Sequence, residues 1–269
     1  MKTIVITGAS SGIGKATARH FAAQGWQVAA TMRKPEKETE LSVIDGIRLY
    51  QLDVTQQASI DSATAQILAE YGTVDVVLNN AGYGLVGVFE ATTPEQIHRQ
   101  FNTNVFGLMA VTRAFLPHFR ANKAGMFINV SSLGGLITYP FTSLYHSTKW
   151  AVEGFSESLA FELGELGIQV KLVEPGAVAT DFSGRSMEFA MPDELPDYLP
   201  AAQKFMAAQA NSNRVPATAE QIAEGIYAAA TDGQARLRYP LGDAPQTVAM
   251  HSRVGEEAFI AGIRQRMFG

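Results

Sequence analysis

The sequence has 269 residues, 46% of them hydrophobic, enough to bury a full core as one large domain or two small ones. Twenty-one basic against 26 acidic residues give a net charge of −5, too mild and too mixed for a nucleic-acid surface. Without cysteine there are no disulfides, thiolate nucleophiles or cysteine–metal sites, and the five scattered histidines form no H-x-x-x-H pair, so no metal is expected.

No apolar run approaches the about 18 residues of a membrane span, so no membrane partner is expected. The opening Met1-Lys2-Thr3-Ile4-Val5-Ile6 reads as a first strand rather than a secretion signal, and a cytoplasmic protein is the expectation.

Ile4-Val5-Ile6 is a β-branched run suited to a strand buried on both faces of a parallel sheet. It leads into Thr7-Gly8-Ala9-Ser10-Ser11-Gly12-Ile13-Gly14, and a helix is expected from Lys15 to Gln24, stopped by Gly25. A glycine-rich turn between a strand and a helix N-terminus is a phosphate cradle. Missing Cβ atoms let a pyrophosphate approach, and free helical N–H groups bind it. A second strand is expected over Trp26–Thr31, followed by Met32-Arg33-Lys34 with no carboxylate before Glu36. In dinucleotide folds this strand end faces the adenosine ribose, where an acid suits the 2′-hydroxyl of NAD and a base the 2′-phosphate of NADP. Arg33 therefore points to NADP, the alternative being a solvated basic loop.

A third strand, Ile47–Leu52, ends in Asp53-Val54-Thr55, and a helix follows from Gln56 to Tyr71, stopped by Gly72. A fourth, Val74–Leu78, ends in Asn79-Asn80-Ala81-Gly82, residues that fit the ligand crevice at a strand's carboxyl end or a plain tight turn. Pro94 starts a helical stretch. A long helix is expected from Asn104 to Ala121, with Gly107 as an interior irregularity and Asn104 as an odd polar residue on an apolar face.

The run Met126–Val130 reads as a buried strand ending at Ser131-Ser132, and Ser143–Leu166 as a helix capped by Gly167. On that helix Tyr145 and Lys149 are i and i+4 and share a face. A strand end and the next helix start can face each other, placing a hydroxyl, a phenol and an ammonium around one small volume. Such a group suits proton transfer at a carbonyl or alcohol oxygen, with the lysine favouring the phenolate. None of the three carries a hydride, so a cofactor must.

Ile168–Val173 is a sixth strand, expected to break at Glu174-Pro175-Gly176. Residues 181–216 hold four prolines, three phenylalanines and three methionines without a strand signal, and read as a substrate lid or as a structural excursion over a sheet edge. A helix over Thr218–Thr231 with Thr218 as N-cap, a last strand over Arg236–Leu241 and a helical tail over 243–269 complete the chain. Strand and helix alternate with short loops and no repeat. The fold class is therefore α/β: one domain over 1–269, a Rossmann-like, doubly wound parallel sheet with helices on both faces.

Over roughly residues 2–242 the chain resembles the short-chain dehydrogenase/reductase family. The resemblance rests on Thr7-Gly8-x-x-x-Gly12-x-Gly14, Asp53, Asn79-Asn80-Ala81-Gly82, Ser132 with Tyr145-x-x-x-Lys149, and Pro175-Gly176 with Thr180. It implies that Gly8, Gly12 and Gly14, with Ser10, Ser11 and Ile13, line the pyrophosphate. Asp53 and Val54 would contact adenine, and Asn80, Ala81 and Gly82 the adenosine side and the central sheet. Ser132 would position the substrate oxygen, Tyr145 act as general acid–base, and Lys149 lower the tyrosine pKa and hold the nicotinamide ribose. Asn104 would bind, through its backbone, a water linking Lys149 to solvent. Pro175, Gly176, Val178 and Thr180 would flank the nicotinamide.

Many NADP-preferring members carry a basic residue where this chain has Ser11, so Arg33 becomes the main discriminator, with Lys34 or Lys15 assisting. The expected activity is NADP(H)-dependent interconversion of a ketone or aldehyde and an alcohol, NADP(H) being preferred and NAD(H) the alternative. An NAD-dependent alcohol dehydrogenase and a catalytically inactive dinucleotide-binding regulatory protein stay open, the intact Ser–Tyr–Lys–Asn set arguing against the latter. Phe141, Phe182, Met187, Phe189, Met191 and Phe205 suggest an apolar small-molecule substrate. Relatives commonly pair through the two long helices, which implies a homodimer or homotetramer with Trp150, Phe155 and Leu159 as candidate contacts.

Overall fold

The computed structural model describes residues 1–180, 186–191, 194–211 and 214–269. Its centre is a seven-stranded sheet in which every neighbouring pair is parallel. The strands are β1 (Thr3–Ile6), β2 (Gln27–Met32), β3 (Ile47–Gln51), β4 (Val76–Asn79), β6 (Gly125–Val130), β7 (Ile168–Pro175) and β11 (Arg238–Leu241). Their order across the sheet is β11-β7-β6-β4-β1-β2-β3. The chain moves outward from β1 to β3, then returns past β1 to β4 and continues the other way. That reversal opens a crevice beyond the carboxyl ends of β1 and β4.

Alternation along the strands builds two cores. Ile4, Ile6, Val28 and Ala30 face one side, where Phe21 of α1 (Gly12–Ala23) meets Ile222 and Ile226 of the helix Ala219–Thr231. Val5 and Ala29 face the other, against Ile60 and Ile67 of α2 (Gln57–Tyr71), Phe115 and Phe119 of the helix Leu108–Asn122, and Leu159 and Leu163 of the helix Ser143–Gly164. With both faces covered, β1 is buried along its whole length.

Several expectations change. α1 begins at Gly12, three residues before the expected Lys15, so the glycine turn itself forms the first helical turn. The helix expected from Asn104 is the end of a longer one. It starts at Pro94 under a Thr93–Gln96 capping box, widens into a π turn over Asn102–Gly107 and continues from Leu108 to Asn122. β7 does not break at Glu174-Pro175, because Pro240 and Leu241 of β11 pair alongside them.

The 181–216 segment, read as strandless, contains β9 (Met187–Ala190), which pairs in parallel with β5 (Gly84–Gly87). Its order comes from that partner and not from its own alternation. At Gly87 (φ +145°) a Cβ would lie 2.0 Å from the Ala190 carbonyl oxygen, so only glycine lets the two strands close. A second short parallel ladder joins β8 (Val178–Ala179) to β10 (Ala217–Thr218). The tail is helical but divided at Gly255 (φ +82°) into Ala244–Val254 and Glu256–Phe268. Its Phe259, Ile263 and Met267 pack with Phe205 and Phe141, so the tail supports the region beside the site. Phe205, suggested as substrate-facing, is therefore core; Phe182 lies outside the described residues.

Candidate active site

A cavity of about 720 Å³ occupies the crevice beyond β1 and β4. Of the residues that the resemblance implies for catalysis and for the cofactor, all but Gly14 and Asn104 line it. At one end is the glycine turn. Gly8 takes φ +69°, and a Cβ there would come 2.9 Å from Cα of Ala81. Gly14 is buried behind the turn instead, where a Cβ would come 2.5 Å from both the Gly8 carbonyl oxygen and Nδ2 of Asn80. It is a packing glycine and not a wall of the cavity.

Asn80 is the brace of this end. Its Nδ2 donates to the carbonyls of Thr7 (2.9 Å) and Gly8 (3.2 Å), while the N–H groups of Asn80 and Ala81 donate to Oγ1 of Thr7 at 2.9 and 3.1 Å. The neighbouring Asn79 points away from the cavity into a buried polar ladder. Its Nδ2 reaches Thr112 (3.0 Å) and Asn129 (2.9 Å), and Asn129 donates to Ser156 (2.8 Å). That ladder carries no sequence signal beyond isolated polar residues within apolar runs.

Arg33, at the end of β2, lines the cavity with an exposed side chain. Lys15, considered as its helper, is already committed: its ammonium lies 3.1 Å from Glu38 and 2.9 Å from Glu40. Asp53 is fixed by local bonds, its Oδ1 accepting from the Thr55 N–H (2.9 Å) and hydroxyl (2.7 Å).

The other end holds the polar trio. Ser132 stands at the end of β6, its Oγ accepting from the Gly134 N–H at 3.0 Å, and its side chain hydrogen-bonds Tyr145. Burial holds the Tyr145 phenol above its usual range, and the Ser132 bond pulls the other way. The expected lowering by Lys149 is not seen. That ammonium lies 5.7 Å from the tyrosine ring centroid and donates to the Val130 carbonyl at 2.8 Å. Burial pushes Lys149 down to about 8, against the pull of the Glu153 carboxylate one turn on.

Asn104 sits in the π turn, 2% exposed, behind the site. Its Oδ1 accepts from the Tyr83 N–H (3.0 Å), and its Nδ2 donates to the Tyr83 carbonyl (2.9 Å) and to Oγ1 of Thr148 (3.1 Å). The side chain thus ties the 80–83 turn to the helix of Tyr145.

Sequence reasoning missed one wall. Tyr83, Arg99 and Glu188 line the cavity; Arg99 is ion-paired to Glu188 and donates to the Tyr83 hydroxyl at 3.3 Å. No local pattern pairs residues 89 positions apart. Of the apolar candidates, Met187 lines this cavity and Phe141 a separate one of about 470 Å³, whereas Phe189 and Met191 are about half exposed.

The cradle fits a dinucleotide. Gly8 leaves no Cβ over the turn, and the Ser11 N-cap of α1 makes no side-chain capping bond and has no acid in the following turn, so the first helical N–H groups keep their capacity for an anion.

Comparison with known proteins agrees. The family model for short chain dehydrogenase matches residues 2–190. An uncharacterized oxidoreductase of Schizosaccharomyces pombe is 40% identical over 240 residues, covering 88% of this chain and 99% of that protein. Among solved structures, a short-chain dehydrogenase from Streptomyces avermitilis superposes with a TM-score of 0.84 at 37% identity, over 94% of this chain and 93% of the other. A serine dehydrogenase complexed with NADP+ has a TM-score of 0.74 and 30% identity, over 89% of this chain and 93% of the other. The chain belongs to the short-chain dehydrogenase/reductase family and is an oxidoreductase of the nicotinamide-dinucleotide type.

Proposed function

We propose that this chain interconverts a ketone or aldehyde and an alcohol, prefers NADP(H), and uses Tyr145 as general acid–base. The observation that carries the reading is the hydrogen bond between Ser132 and Tyr145 at the wall of a cavity whose other end is closed by the glycine turn and Arg33. A bound nicotinamide dinucleotide would supply or accept the hydride. The chain's own residues then handle the oxygen. Ser132 and Tyr145 converge on it, and in the reductive direction Tyr145 gives up its proton as negative charge develops there. Lys149, buried beside the ring with its ammonium donating to the Val130 carbonyl, would hold the nicotinamide ribose.

Asn104, in its π turn, is the proposed backbone anchor for the water that returns a proton towards Lys149. The exposed Arg33 would meet the 2′-phosphate of NADP with a planar fork of donors, while Asp53 and Val54 border the adenine. Pro175, Gly176, Val178 and Thr180 would border the nicotinamide. The serine dehydrogenase with NADP+ supports the cofactor choice by analogy. Met187 on the cavity wall favours an apolar substrate.

The test is turnover of a panel of aldehydes and ketones followed by NADPH absorbance, with NADH in parallel. Oxidation of NADPH with at least one carbonyl, faster than of NADH, is expected. Tight NADPH binding with no turnover across the panel would leave the inactive regulatory reading.

A further inference from the structure

We propose that His146 is a positioning residue that holds Ser132 against Tyr145 by clamping the segment that follows Ser132 at Gly134 and at Tyr139. The inference rests on the reading of Ser132 and Tyr145 as the reacting pair. The helix that carries Tyr145 presents His146 next to it, 5% exposed. Nδ1 of His146 lies 2.7 Å from the Gly134 carbonyl oxygen, and the Tyr139 N–H donates to Nε2 at 3.0 Å. A backbone N–H can only donate, so Nε2 is the acceptor and the ring proton sits on Nδ1, donating to Gly134. The imidazole is neutral, and both its nitrogens are used.

Gly134 passes this hold to the serine. Its N–H donates to Oγ of Ser132 at 3.0 Å, and the Gly135 N–H closes the turn onto the Ser132 carbonyl at 2.8 Å. With one lone pair of Oγ engaged by the backbone, the hydroxyl is left oriented for the phenol. The fit has no slack: a Cβ on Gly134 would lie 2.6 Å from Nδ1. One helix thus carries both the phenol and the clamp on its partner, which keeps their spacing constant.

A protonated ring would turn a second N–H against that of Tyr139. Burial holds His146 below its usual pKa, opposed only by the bond to Gly134. The ionisable groups facing the ring are the phenols of Tyr139 and Tyr145, with centroids at 6.1 and 6.0 Å. Burial keeps the Tyr145 phenol neutral at pH 7. Because the folded pKa lies below the ordinary 6.5, the clamp is intact above that value and is lost as pH falls through the lowered one.

The test compares His146→Phe, which fills the space without either bond, with His146→Asn, whose amide can still donate to Gly134. For the Phe variant kcat is expected to fall about 10- to 100-fold, the range produced by small misplacements of reacting groups, while NADPH binding measured by fluorescence stays within about twofold. The Asn variant should recover most of that loss, and the acid limb of the wild-type kcat profile should vanish in it. A folded Phe variant with wild-type kcat, or an Asn variant that recovers nothing, overturns the proposal. If the wild type turns over no carbonyl, the reading of the reacting pair fails separately. Amide exchange then decides for the clamp: faster exchange at Gly134 and Tyr139 in the Phe variant supports it, and unchanged exchange overturns it.

Discussion

Lys15 lies 2.9 Å from Glu40 and 3.1 Å from Glu38, so this cation, next in the chain to Gly14, is neutralised before any cofactor arrives. Arg33, exposed on the cavity wall, is the basic group proposed to meet a 2′-phosphate. Losing such a charge-assisted contact costs about 1.5–3 kcal/mol, roughly ten- to a hundredfold in affinity. Arg33→Ala should raise the KM for NADPH by about that factor and leave NADH nearly unchanged, and Arg33→Asp should reverse the preference. Steady-state kinetics with both cofactors on the three proteins decide this. Equal weakening of both cofactors would assign Arg33 a merely structural role.

The strap formed by β9 on β5 should be loosened from one side chain. Glu188 accepts from Gln96 at 2.8 Å and is ion-paired to Arg99, so it ties the strap to the helix that begins at Pro94. Because the pair is largely exposed, its contribution is expected to be no more than about 1 kcal/mol. Glu188→Ala should speed amide exchange at 187–190 about fivefold and shift kcat/KM by no more than that. In the unaltered protein, exchange over the same strand should slow when NADPH is added. No change on adding NADPH would make the segment a fixed cover and not a lid.

Much of this arrangement was legible in the sequence, for identifiable reasons. Ile4-Val5-Ile6 followed by a glycine turn, and Tyr145 one helical turn from Lys149, are local patterns whose geometry follows from helix and strand periods. What stayed hidden depends on distant partners. β9 exists because Gly84–Gly87 offers it an edge, and Glu188 becomes a cavity wall only by meeting Arg99. Leu159, considered for a subunit contact, lies in the core facing the sheet, and Phe155 packs partly against the same core. A helix with apolar residues on two faces does not reveal which face meets the sheet.

The exposed face of those helices carries the assembly prediction. Trp150 is 51% exposed, and Phe106 and Phe161 are 58% and 79% exposed on the two long helical stretches. A two-fold pairing there would bury all three, so the wild type should scatter light as a dimer or tetramer at micromolar concentration. Phe161→Asp should dissociate it or weaken it by at least about tenfold, since a buried charge would lack a partner. A monomeric wild type contradicts the pairing.

Glu174 gives a pH signature of the ground behind the site. It is fully buried; its Oε2 accepts from the Tyr239 N–H at 2.9 Å, and its Oε1 has no hydrogen-bond partner among the described residues, the Arg238 guanidinium standing 3.9 Å away. Burial, then the nearby Glu153 carboxylate, pushes it up to about 8, so the neutral acid prevails at pH 7. A folded pKa above the ordinary 4.5 means that its contribution is fully present below 4.5 and is lost as pH rises towards 8. Glu174→Gln keeps the acceptor for Tyr239 and cannot ionise. Its Tm should nearly match the wild type near pH 5 and exceed it by at least roughly 2–4 °C near pH 8. A constant difference across that range would mean that Glu174 ionises normally.

The most direct measurement is on Tyr145→Phe, with NADPH binding and carbonyl reduction recorded on the same preparation. The variant keeps the ring and removes the hydroxyl that Ser132 contacts. Reduction should fall by at least about a thousandfold while NADPH binds within about threefold of wild type, because the phenol is needed for proton transfer and not for holding the dinucleotide. Carbonyl reduction at near wild-type rate in the Phe variant would contradict the account and place the acid–base elsewhere.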